Sequence, residues 1–150
     1  MVELPQGDVT EVRRGGPDSL QLLSMDIARL STTGYLRIER RSKGEMPRIG
    51  HIAFKDGTPM MALHETDSIS MALEALLDIE SDCALLDAFI AVHELPLSDM
   101  DRILSLYPEA HFESVQERNA IQEGHQWWSK ARYRTSSWRR EERLPEMETV

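Results

Sequence analysis

The sequence predicts an α+β domain: an antiparallel sheet of about four to five strands, a meander plus one long strand, with helices packed against it. Three observations carry this. Apolar and polar residues alternate through Tyr35–Arg40 and Ile49–Lys55, the mark of half-buried strands. Asp56-Gly57 follows them, a pair that tolerates the positive φ of a tight hairpin. Ile69, Ala72, Leu73, Leu76 and Leu77 then fall at the spacing of a broad buried helical stripe.

Taken in order, Asp8–Arg13 reads as a short strand closed by Gly15-Gly16-Pro17. Asp18 is placed to cap a helix, with Gln21 at the capping-box position, and Leu20, Leu23, Ile27 and Leu30 line one face until Ser31-Thr32-Thr33-Gly34 ends it. In the strand that follows, Leu36 and Ile38 point one way and Arg37 and Glu39 the other. Arg41–Arg48 is a polar loop. Beyond it Gly50, Ile52 and Phe54 oppose His51, Ala53 and Lys55, which places His51 on a solvent-facing side. Pro59 limits the ladder at the start of the returning strand Met60–His64, completing a three-stranded antiparallel meander.

Asp67–Ile79 is the clearest helix, with Leu73 and Leu76 expected to be fully buried. Cys83–Glu94 admits helix or strand. Ala84, Leu86, Ala88, Ile90 and Val92 are all apolar and a helix would bury Asp87, so the reading is one long strand. Ser98 with Asp101 opens a last helix, whose Met100, Ile103, Leu104 and Tyr107 share a face until Pro108. Residues 1–115 form the domain. Residues 116–150, where no period persists, read as a basic-aromatic arm, partly helical and then disordered.

A chain of 150 residues is one domain by default and buries enough apolar surface to fold without a metal or disulfide. Cys83 is its sole cysteine, so no internal disulfide forms, and a buried, reduced thiol suits a cytoplasmic protein. No run approaches the eighteen or so apolar residues of a spanning helix, and Met1–Pro5 lacks the basic and apolar segments of a secretory signal. The formal net charge of −9 disfavours the body as a nucleic-acid binder.

The order helix, Gly-Tyr-Leu-Arg-Ile-Glu, Ile-Ala-Phe-Lys-Asp-Gly-Thr-Pro-Met-Met-Ala, then the helix through Ser70–Leu77, resembles an uncharacterised archaeal family of unknown function. It is also similar to the N-terminal module of bacterial PatA-type response regulators. The stretch Cys83–Phe112, with Glu94-Leu95 and Tyr107-Pro108, is similar to the continuation in the archaeal family, so the likeness covers roughly residues 3–112. It implies a non-catalytic cytoplasmic interaction or regulatory module serving a small GTPase or signalling assembly. It brings no catalytic residues, because the family has none assigned.

Candidate chemistry is sparse. His64-Glu65-Thr66-Asp67 sets three metal-ligand types at a strand-to-helix turn, but helix capping by Thr66 or Asp67 accounts for them and no converging ligands are identified. His93 shares a face with Asp87 and Phe89. Cys83 follows Asp82, an acidic neighbour that disfavours a reactive thiolate. No phosphate loop, nucleophile elbow or paired-cysteine spacing is present, and no cofactor or metal is expected.

Charge is distributed unevenly. Residues 65–117 hold thirteen acidic side chains and one basic one, Arg102. That surface is either a solvated face or a dock for a basic partner. Gly124–Arg140 has five basic residues and no acidic one, and its candidate partner-binding set is Trp127, Trp128, Lys130, Arg132, Tyr133, Arg134, Trp138, Arg139 and Arg140. Such an arm can dock on the acidic body of its own or a neighbouring subunit, giving a homodimer. It can also hold another protein or an anionic lipid surface, or stack on unpaired bases as a nucleic-acid-binding accessory protein. The leading reading is a protein-interaction module, and the alternative is nucleic-acid binding through residues 124–140.

Overall fold

The computed structural model describes residues 2–113. The elements in chain order are β1 (Asp8–Arg14), α1 (Ser19–Leu30), β2 (Gly34–Arg40), β3 (Arg48–Lys55), β4 (Thr58–Glu65), β5 (Ile69–Met71), α2 (Ala72–Cys83), β6 (Ala88–Glu94) and α3 (Leu97–Leu106), then a 3-10 turn at Pro108–Ala110. They form the α+β class, with one six-stranded sheet in the order β1-β6-β2-β3-β4-β5, antiparallel throughout. The sheet exceeds the expected four to five strands because Ile69–Met71 forms an edge strand, β5.

The meander β2-β3-β4 forms as its alternation requires. Asp56 and Gly57 both take positive φ, 51° and 79°, at the tip joining β3 to β4. Pro59 sits opposite Phe54 at a register shift, where a missing N–H costs the ladder little. β6 inserts between β1 and β2, so the crossover through α1 links two parallel strands that do not touch. A period of two cannot reveal such an insertion.

Several helical expectations change. Asp18 makes no side-chain cap; its carbonyl accepts the Leu22 N–H at 3.0 Å instead. Leu20, Leu23 and Ile27 are buried, but Leu30 is 65% exposed, because α1 ends against the hairpin tip, where Gly57 N–H donates to Thr32 O. The second helix begins at Ala72, not Asp67. Ser70 pairs with His64, making Ile69–Met71 an edge strand and leaving Ile69 exposed. Thr66 and Asp67 therefore cap no helix; they bond to each other in the β4–β5 turn.

α2 runs on through Cys83, with Ala75, Leu76, Ile79, Asp82 and Cys83 as its buried stripe. Leu73 is only partly buried. The expected long strand thus survives from Ala88 onward, while Ala84 and Leu86 are exposed in the α2–β6 turn. Gly15 and Gly16 donate to Ala88 O and Cys83 O at 2.8 Å each, pinning the end of β1 to that turn. The last helix lacks the expected Ser98 cap: α3 follows Pro96 and buries Met100, Ile103 and Leu104.

Apolar cores lie on both faces of the sheet. α1, α2 and Phe112 cover Leu36, Ile38, Ile52, Phe54, Ala62, Ile90 and Val92. On the opposite face α3, the 3-10 turn and the N-terminal Val2 and Leu4 cover Tyr35, Ala53, Met61 and Leu63. That second cover buries His51, which is 4% exposed. Its expected exposure fails because alternation separates two sides of a strand without saying that one of them is wet.

Candidate interaction surface

Among the described residues, His51, His64, His93 and Cys83 are buried inside the fold. His64 Nε2–H donates to Asp82 Oδ2 at 2.7 Å, and Arg48 Nε donates to Asp82 Oδ1 at 2.8 Å. Burial pushes the Asp82 carboxyl up, but the hydrogen bonds from His64 and Arg48 and the Arg48 charge outweigh it and hold the group below its ordinary value. This cluster ties the C-terminal end of α2 to β3 and β4. His64 is one of the three ligand types expected at residues 64–67, and it turns inward, away from Asp67. Among the described residues no three His, Cys, Asp or Glu side chains gather as a metal set.

A second group lies under the N-terminal segment. The Tyr35 ring stacks on His93 at 4.5 Å between centroids and meets His51 edge-on at 5.6 Å. Tyr35 Oη donates to Pro5 O and His93 Nδ1 to Gln6 O, each at 2.8 Å. Burial, with the nearby Arg37 and His93, lowers the His51 imidazole from 6.5 to about 4. Cys83 is buried, and burial followed by the Asp82 charge pushes its thiol well up, away from reactive thiolate character. These groups fasten strands and straps together.

Among the described residues, the second sheet face is uncovered where α3 and the N-terminal segment stop. There β1, β6 and β2 present Val12, 61% exposed, and Phe89, 49% exposed. Beside them is an open depression of about 350 Å³ lined by Arg37, Glu39, Arg41, Asp87, Phe89 and Ala91. Arg37 and Arg41 both donate to Glu39. The Arg41 hydrogen bond, with that of Arg37, holds the Glu39 carboxyl below its ordinary value against the opposing effect of burial. The Arg14 guanidinium lies over the Phe89 ring, 5.5 Å from its centroid. An aromatic ring is thus held on an open sheet between fixed charges of both signs.

None of these residues was singled out from sequence as a site. The available signal was Phe89 among β6 positions that face away from the α1/α2 core. The expected partner-binding residues, Trp127 through Arg140, lie outside the described residues, as does the boundary at residue 115. Among the described residues no helix is long and apolar enough to cross a membrane. No family model matches the chain, and neither a curated protein nor a solved structure does.

Proposed function

We propose that this chain is a non-catalytic protein-interaction module whose partner docks on the open β1/β6/β2 face. The observation that carries the reading is Phe89, a large apolar side chain half exposed near the start of β6 on the uncovered part of the second sheet face and flanked by arginines and carboxylates. An apolar centre with a charged rim is the anatomy of a protein interface, and aromatic and arginine side chains dominate the energetics of such patches. The partner of matching chemistry is a protein surface apolar at its centre and mixed in charge around it. The family resemblance points the same way, toward a regulatory module in a small-GTPase or signalling assembly. The buried histidines and Cys83 support it too, since their hydrogen-bonding and packing roles are internal.

The reading is tested by placing photoreactive benzoylphenylalanine at position 89 of the full chain in cells of its source. A covalent adduct to a protein is expected, and it should be absent when the probe replaces Ser81 on the exposed side of α2. Equal labelling from both positions, no adduct, or an adduct to nucleic acid overturns it.

A further inference from the structure

We infer that the occupant of the open face is a second copy of this chain, packed sheet to sheet about a two-fold axis. The inference rests on the reading of that face as a protein-binding surface and names its partner. It begins from register. Val12 pairs with Ala91 and Ala91 with Arg37, so these three form one row across the open face. Arg14 pairs with Phe89 and Phe89 with Glu39, forming the next row.

An isologous contact sets a patch against itself, so the patch must be self-complementary. Consider an axis in the interface plane, running across the strands midway between the two rows. It lays each row of one copy over the other row of its partner. Arg37 then faces Glu39 of the second copy and Glu39 faces its Arg37. In the same operation Phe89 of each copy lies over Ala91 of the other, large against small. Arg14 lies over Val12, where its aliphatic stem adds apolar cover. Aligned packing of two sheets brings inner faces about 10 Å apart, the thickness these side chains fill.

Charge also favours this face over the rest of the surface. The chain carries a formal −9, so two copies repel on average. Outside this face, and leaving aside the buried Asp82, residues 65–113 hold ten acidic side chains against one basic one, which opposes self-contact there. The open face instead gathers three guanidiniums, Arg14, Arg37 and Arg41, with two carboxylates, Glu39 and Asp87. The β1 edge is a poorer route for a second copy, since a register shift between Val9 and Glu11 interrupts its ladder.

The test is sedimentation of the full chain across a concentration series, with melting curves to show that each variant is folded. The native chain should associate to a dimer. Phe89→Glu should weaken association about 30-fold or more, as loss of a central anchor does. Arg37→Glu and Glu39→Arg each set like charges opposite one another and should weaken it about tenfold or more. The double swap R37E/E39R restores opposite charges across the axis and should recover dimerisation. A native chain that remains monomeric at its highest soluble concentration overturns the inference. So does a double swap no better than the single changes, or a dimer indifferent to Phe89→Glu. An adduct at position 89 to a different protein also overturns it, while leaving the interaction module standing; no adduct at all removes both.

Discussion

The buried His51 makes the folded state sensitive to mild acid. Its imidazole, 4% exposed, is lowered from 6.5 to about 4 in the folded chain, first by burial and then by Arg37 and His93. In the unfolded chain it titrates at its ordinary value. Between those two values the unfolded chain binds a proton that the folded chain does not, so stability falls as pH drops through that window. The full displacement of roughly two and a half units corresponds to about 3 kcal/mol at 1.36 kcal/mol per unit, and roughly four-fifths of it is reached by about pH 4.5. Urea unfolding of the native chain and of His51→Leu, each at pH 7.5 and 4.5, reads this directly. The native chain should lose about 2–3 kcal/mol more than the variant over that interval. Glu39 and Asp82, whose carboxyls lie below their ordinary values, also lose stabilisation in acid, but they are present in both proteins and cancel in the difference. Equal losses in the two proteins, or a His51 ring that titrates by NMR near its ordinary value, would refute the argument.

Four further substitutions report on the packing that positions the open face. Leu76→Ala empties a fully buried site on α2 and should cost about 2–5 kcal/mol, whereas Leu73→Ala, at a partly buried site, should cost clearly less in the same denaturant series. Asp82→Ala removes the shared acceptor of His64 and Arg48 and should cost about 1–3 kcal/mol, with faster amide exchange at the C-terminal end of α2. Gly50→Ala would put a Cβ 2.4 Å from Ile79 Cγ1, so overpacking should cost about 1–3 kcal/mol, and a penalty for Gly50→Ala that shrinks when Ile79→Ala has already removed Cγ1 would confirm the contact.

Local periodicity revealed the meander because each of its signals is local: alternation in β2 and β3, and a positive-φ pair at the turn. The errors came where tertiary pairing overrides a local pattern. Ile69 fits the helical spacing of Leu73 and Leu76, yet pairing of Ser70 with His64 takes it into an edge strand. Ala84 and Leu86 fit the alternation of Ile90 and Val92, yet the helical stripe from Ala75 through Ile79 to Cys83 claims the preceding residues and a turn takes these two. The spacing of Ile79 and Cys83, four apart, was a usable sign that α2 continues. Burial of His51 and His93 was not legible, since it depends on Val2–Gly7 lying across the second face as a strap. The open face was half legible. The Arg37-Glu39-Arg41 alternation is in the sequence, but its meeting with Phe89 requires β6 to pair with β2.

Charge is the property the fold rearranges most. Along the sequence the acids of residues 65–117 look like one continuous negative block, which invites a basic partner. In the fold several of them meet bases from residues 40–55. Asp82 binds Arg48, with Arg40 3.8 Å away; Asp87 binds Arg40 at 3.0 Å; and Asp101 binds Lys55 at 2.9 Å. Asp82 stands at the C-terminal end of α2, the end that a helix dipole makes unfavourable for a carboxylate, and the pairing with Arg48 and His64 offsets that cost. Exposed pairs such as Lys55–Asp101 add little stability, but they do determine which surfaces stay negative. Charges that are block-like in sequence therefore become local pairs in space. The face left with both signs and a bare aromatic ring is the one where a protein of like net charge, including another copy, meets the least repulsion.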